Sequence, residues 1–275
     1  YMLNLANSYT YHGKTDEAVA VLGRILELDD GMPQAHWALA GARKAKDATH
    51  IYAMRGLIAR QRYHPRAQAF LYYAIGKECE DLERWDEAEE AFKKYIALIP
   101  EEPNPYDSYA EFLMMTGRFG ESIDNYRRAL EITEQALGPE DPQTVALIED
   151  LGLLLYDDGE FQEAEPLLRR AEKIERLVHG DDHRLVAVAV SNLARLLQEQ
   201  GDFAGAEPLA REALGIRRRV MGEGHHSTGT SLRVLGNILL DAGRGEEAEA
   251  YLRESVEILR TAVDDDHWWV ADSKS

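Results

Sequence analysis

The sequence predicts an all-α fold, an α-solenoid of about seven helix-turn-helix units. Three observations predict it. The phrases Glu163-Ala-Glu-Pro-Leu-Leu-Arg, Gly205-Ala-Glu-Pro-Leu-Ala-Arg and Glu247-Ala-Glu-Ala-Tyr-Leu-Arg recur at a fixed step of 42 residues, and a period of that size marks a stacked repeat. Ahead of each phrase, apolar residues recur at three- and four-residue intervals, which is one face of a helix. A glycine then follows (Gly159, Gly201, Gly243), where a helix needs a left-handed residue to stop.

The elements follow in chain order. Leu5-Ala6, Tyr9 and Gly13 read as a first helix and its turn, and Ala18 and Leu22 as the second helix. Residues 35–64 form a degenerate unit carried by Trp37, Gly41, Ala53 and Leu57, with charged Lys44 at an apolar place. Tyr72, Ile75-Gly76, Trp85, Ala88, Phe92 and Pro100 make the third unit; Tyr106, Tyr109-Ala110, Gly117, Phe119, Tyr126 and Ala129 make the fourth. Ala18, Ala53 and Ala88 are spaced by 35, and Ser122 follows 34 later. In the second half, Gly152, Ala194 and Gly236 on first helices, and Ala164, Ala206 and Ala248 on second helices, keep the crossing points small enough for close approach. Pro166 and Pro208 are expected in the opening turn of the second helix, where a missing amide costs little. The chain divides into units of 34–35 residues over 1–134 and units of 42 over 135–275, the last truncated.

This pattern resembles the tetratricopeptide repeat (TPR), and residues 130–275 resemble its 42-residue kinesin-light-chain variant. The turns Gly138-Pro-Glu-Asp-Pro, Gly180-Asp-Asp-His-Arg, Gly222-Glu-Gly-His-His and Asp264-Asp-Asp-His-Trp stand where that variant has Leu-Gly-x-Asp-His-Pro. They depart from it at Asp141, at Gly224 and in lacking proline at 184 and 226. The resemblance implies a right-handed superhelix whose first helices line a concave groove. It implies a scaffold that binds an extended peptide or a partner protein without chemistry, or else a docking arm of a larger bacterial multidomain enzyme or signalling protein. Both termini fall inside a unit, with His267-Trp-Trp opening an eighth, so a piece of a longer protein is expected, and open ends would allow self-association.

Composition bounds the function. The 275 residues carry a net charge of −19. Residues 1–100 hold 13 basic against 14 acidic side chains, and the remainder 18 against 36. An acidic surface repels phosphate backbones, so nucleic acid is not an expected partner, whereas a basic protein segment is. No apolar run suits a membrane span. Cys79 is the only cysteine, which excludes a disulfide framework and fits the cytoplasm; it is expected as a buried small hydrophobe.

No catalytic, cofactor or metal residues are expected. His183, His225 and His267 repeat at the 42-residue step, so they lie about a helix diameter apart, roughly 10 Å, and cannot share one ion. They read as turn residues bonding backbone at helix starts. The groove carries the functional expectation, on the outward residues of first helices: Asn4, Asn7, Tyr73, Lys77, Glu80, Asp107, Glu111, Met114, Glu149, Asp150, Leu153, Tyr156, Ser191, Asn192, Arg195, Arg233 and Asn237. Its acidic, aromatic middle suits a basic segment. Its amide- and arginine-bearing end suits peptide backbone and a carboxylate. The lysine and asparagine set of chaperone-binding TPRs is absent.

Overall fold

A computed structural model describes residues 1–60 and 62–272, and the side chains among these as far as Thr261. Among the described residues there are fourteen α-helices and no strand. In order they are α1 (Met2–Tyr11), α2 (Thr15–Leu28), α3 (Pro33–Ala42), α4 (Thr49–Arg60), α5 (Pro65–Asp81), α6 (Trp85–Leu98), α7 (Asn104–Met115), α8 (Phe119–Leu137), α9 (Pro142–Asp157), α10 (Phe161–His179), α11 (Arg184–Glu199), α12 (Phe203–Met221), α13 (His226–Asp241) and α14 (Gly245–Asp272). They group into two compact units, Tyr1–Gln135 and Ala136–Ser275. The expected turn at 264–268 is not formed, since α14 runs through it, and the side chains of His267, Trp268 and Trp269 lie outside those described.

The first helices α1, α5, α9, α11 and α13 each pack on the helix that follows, whereas α3 packs mainly on α5; α11 also touches α13. Turn chemistry explains the reversals. Gly13, Gly117, Gly159, Gly201 and Gly243 close first helices with φ between +70° and +85°. In the third unit Glu83 takes the same place at φ 56°, with its N–H bonding the Glu80 carbonyl. The longer turns of the second unit share one device. Asp141, His183 and His225 each accept an amide N–H two residues on, from Gln143, Leu185 and Ser227 at 2.9, 3.3 and 3.1 Å. The two histidines are therefore helix caps, and Asp141 does the same work where the repeat differs.

Small residues set the helix crossings. Ala18, Ala88, Ala164, Ala194 and Ala206 are fully buried and Ala248 nearly so. A Cβ on Gly152 would meet Leu168 at 2.9 Å, and one on Gly76 would meet Phe92 at 2.8 Å. Phe92 and Phe112 are the largest fully buried side chains and stand 5.5 Å apart, centroid to centroid.

Two expectations are corrected. Ala53 is exposed; α4 instead buries Ile51, Met54 and Leu57, so the alanine spacing does not continue through the degenerate unit. Pro166 and Pro208 sit inside α10 and α12, in the second turn, because these helices begin at Phe161 and Phe203. Each proline removes one intrahelical bond there.

Second helices of the second unit are joined by ion pairs 36 residues apart: Arg176–Glu212, Arg211–Glu247 and Arg218–Glu254, at 2.6–2.7 Å. The spacing is one repeat less six residues, so each arginine reaches the next second helix more than one turn nearer its start.

Candidate functional site

The first-helix surface is described unit by unit. In the first unit, α1, α3 and α5 enclose a cleft of about 420 Å³ walled by Asn7, Tyr11, Trp37, Gly41 and Tyr73. Small Gly41 and Ala42 leave the space, and the aromatics line it. Trp37 is 38% exposed and lies 6.0 Å from Tyr73, which in turn stands edge-on to Tyr95 at 5.8 Å. Expected residues Asn7 and Tyr73 are thus brought together. Trp37 and Tyr11 were not expected; the signal was the aromatic on the first helix of the degenerate unit.

Beyond Tyr73 the surface turns acidic. Lys77 Nζ bonds Glu80 Oε2 at 2.6 Å. Burial pushes the Glu80 carboxyl up, and Lys77 offsets only part of that. Burial pulls the Lys77 ammonium down, but the Glu80 bond and charge outweigh it and hold it above its ordinary value. Burial raises the Tyr73 hydroxyl, Lys77 opposes, and Glu111, Glu80 and Asp107 add to the rise, so all four charges face one ring. Glu111 and Met114 are exposed and Asp107 is half-buried. Asn4 is exposed on α1 but does not line the cleft.

In the second unit, Arg195 lies over the Tyr156 ring at 5.1 Å, and Tyr156 donates to Glu199 at 3.4 Å. Asp150, Arg195 and Arg233 are exposed, while Leu153, Asn192 and Asn237 are half-buried. Two expected groove residues are corrected. Glu80 is 6% and Ser191 5% exposed, so both face packing rather than solvent. Glu149 is half-buried; burial, Glu175 and Asp150 push its carboxyl up to about 7. Position along a first helix was legible, but the helix's rotation about its axis was not.

A buried polar relay escaped the sequence altogether. His36 Nε2 donates to the Asp30 carbonyl at 2.7 Å, His36 Nδ1 meets His50 Nε2 at 2.7 Å, and His50 Nδ1 meets Glu78 Oε1 at 2.6 Å. Arg43 Nη2 lies 3.5 Å from the same Glu78 oxygen. Burial pulls the His36 imidazole below its ordinary value, with the Asp30 bond opposing. Cys79 beside it is fully buried, and burial pushes its thiol up to about 11, which makes it an inert packing group.

No helix among the described residues is long and apolar enough to cross a membrane. Comparison with known proteins places the fold. No curated protein matches. The chain is similar in structure to BtubC (BKLC) from P. vanneervenii, at 18% identity and TM-score 0.62, over 92% of this chain and 90% of that one. It is similar to a Podosopora anserina putative kinesin light chain with nearly identical TPR-like repeats, at 19% identity and TM-score 0.63, over 74% and 99%. It is also similar to the apo form of RapI, at 14% identity and TM-score 0.75, over 94% and 75%. Tetratricopeptide repeat models match residues 3–47, 71–102 and, in three overlapping stretches, 102–176, 146–219 and 185–261. With paired helices, left-handed turn residues and small-residue crossings in both units, and repeat matches over well more than half its length, this chain belongs to the tetratricopeptide repeat family, whose fold is a protein-interaction scaffold.

Proposed function

We propose that the chain is a non-catalytic scaffold that holds an extended peptide or partner segment on its first-helix surface, and that the partner carries basic residues. The observation that supports this best is the aromatic cleft of Trp37 and Tyr73 next to the acidic pair of Asp107 and Glu111. Aromatic faces and carboxylates both attract a lysine or arginine side chain. In the second unit, Asn192 and Asn237 offer paired donors and acceptors to a peptide backbone, and exposed Arg195 and Arg233 suit a carboxylate. The acidic balance of the chain would also speed encounter with a basic partner.

A fluorescein-labelled twelve-residue peptide of alternating arginine, lysine and serine tests the reading by anisotropy. The double variant Asp107→Lys, Glu111→Lys should weaken its binding by roughly tenfold or more at low salt. Trp37→Ala should weaken it while leaving the salt dependence unchanged. Equal affinity for the parent chain and the charge-reversed variant would remove the acidic-groove reading.

A further inference from the structure

Two carboxylates, one buried and one half-buried, face each other in the second unit without a lysine or arginine between them. Glu175, near the end of α10, is 8% exposed, and its Oε2 has no hydrogen-bond partner. Glu149 of α9 faces it closely enough for the Glu175 charge to act on its ionisation. A buried carboxylate oxygen without a donor is costly, and two together more so. Arg176, next in sequence, does not relieve them: its guanidinium is taken by Glu172, Asp181 and Glu212.

The groups nearest the unpartnered oxygen are metal ligands. His179, four residues after Glu175 and so on the same helix face, places Nε2 at 3.5 Å from Glu175 Oε2. His183 stacks on His179 with ring centroids 4.2 Å apart. The ligating atoms of all three residues lie within 4.8 Å of one another. Tetrahedral zinc holds its ligands at about 2.0–2.1 Å, which puts neighbouring ligand atoms about 3.4 Å apart. Glu175 and His179 already stand at that separation. We propose that Glu175, His179 and His183 bind one zinc ion, with water in the fourth position.

The donor set of two imidazoles and one carboxylate suits zinc rather than magnesium or calcium, which prefer oxygen. A dication there offsets both carboxylates. Ring stacking fixes what must move. A nitrogen lone pair lies in its ring plane, so two face-to-face rings cannot reach one ion until one of them turns. His183 is the ring free to turn: it gives up only the long 3.3 Å bond from Leu185 N–H, and its Nδ1, which accepts that bond, already bears the lone pair. Loading would tie the turn at Gly180–His183 to α10. Among the described residues the site belongs to this turn alone. Forty-two residues on, Arg217 and Met221 replace Glu175 and His179, and only the cap His225 remains. There Arg217 fills the place with its own charge and donates to Ser231 Oγ and the Ser227 carbonyl.

Zinc chloride titrated calorimetrically into the tag-free, chelator-treated chain should show one saturable site and raise the thermal midpoint. Binding should weaken in acid, because protons and zinc compete for the same ligand atoms. Glu175→Gln and His179→Ala should each weaken it by more than about tenfold, the loss that even outer-shell changes at metal sites produce. His183→Asn keeps a good helix cap, so its zinc affinity should drop while its metal-free midpoint stays. His225→Asn, the same change one repeat later, should leave zinc binding intact. Absence of a saturable site in the parent chain overturns the proposal, as does equal loss from His183→Asn and His225→Asn, or full affinity in Glu175→Gln. Peptide binding in the first unit is read separately, so the two proposals fail independently.

Discussion

A Cβ built on Gly236 would lie 2.6 Å from the Leu252 side chain, whereas one on Gly23 would meet nothing within 4 Å. Both glycines are helical, so the same substitution separates packing from propensity. Gly236→Ala should destabilise the chain by about 1–3 kcal/mol through overpacking. Gly23→Ala should stabilise it by roughly 0.5–1 kcal/mol, since alanine loses less backbone entropy. Urea denaturation of the two variants distinguishes these outcomes, and equal effects would contradict the tight crossing of α13 and α14. Charge at the residue scale is tested by Glu89. Lys93, Arg118 and the Tyr109 hydroxyl all bond its carboxylate, and they hold its carboxyl down to about 2 from 4.5. A depressed pKa means that the stabilisation is present above 4.5 and lost as the pH falls through about 2. Glu89→Gln should therefore flatten the acid side of the stability profile between those values, measured as the urea midpoint against pH. An unchanged acid slope would show that the cluster does not persist in solution.

At the scale of elements, apolar contact and surface charge differ in weight. Phe92 of α6 is fully buried, lies against the Gly76 backbone of α5, and packs at a tilt on Phe112 of α7. Phe92→Ala leaves a cavity where three helices meet and should cost about 3–5 kcal/mol. Arg211 of α12 bonds Glu207, Glu247 and Tyr251, yet its side chain remains 39% exposed. Solvent screening leaves such a pair worth at most about 1 kcal/mol, so Arg211→Ala should be mild. A double-mutant cycle on Arg211 and Glu247 checks the coupling. The ladder of ion pairs between second helices accordingly fixes register more than it supplies stability. The apolar seam and the left-handed glycines were legible in the sequence because each depends on residue type at a fixed spacing. The ladder was not, because its partners are 36 residues apart and arginine and glutamate are common on any exposed helix.

For the whole molecule, repeat architecture predicts how damage spreads. Within each compact unit hairpins contact their neighbours, so stability is a sum of local terms and interfaces rather than one shared core. Amide exchange after Phe92→Ala should therefore speed up most in α5–α8 and little in α11–α13. Uniform loss of protection along the chain would mean one cooperative unit instead. The sequence by itself determined the hairpin order, the turns and their glycines, the caps at His183 and His225, and the small residues at the crossings. These are periodic, and periodicity survives without knowing what any helix packs against. Only the tertiary structure decided which way each helix is turned. Successive residues on a helix are about 100° apart, so a shift of one position exposed Ala53 and buried Met54, and turned Glu80 and Ser191 inward. It also decided the partnerships that carry charge into the interior: Glu78 with His50, and Glu175 with Glu149, His179 and His183. Such partnerships depend on the rotation and depth that neighbouring helices impose, and no spacing within one repeat encodes them.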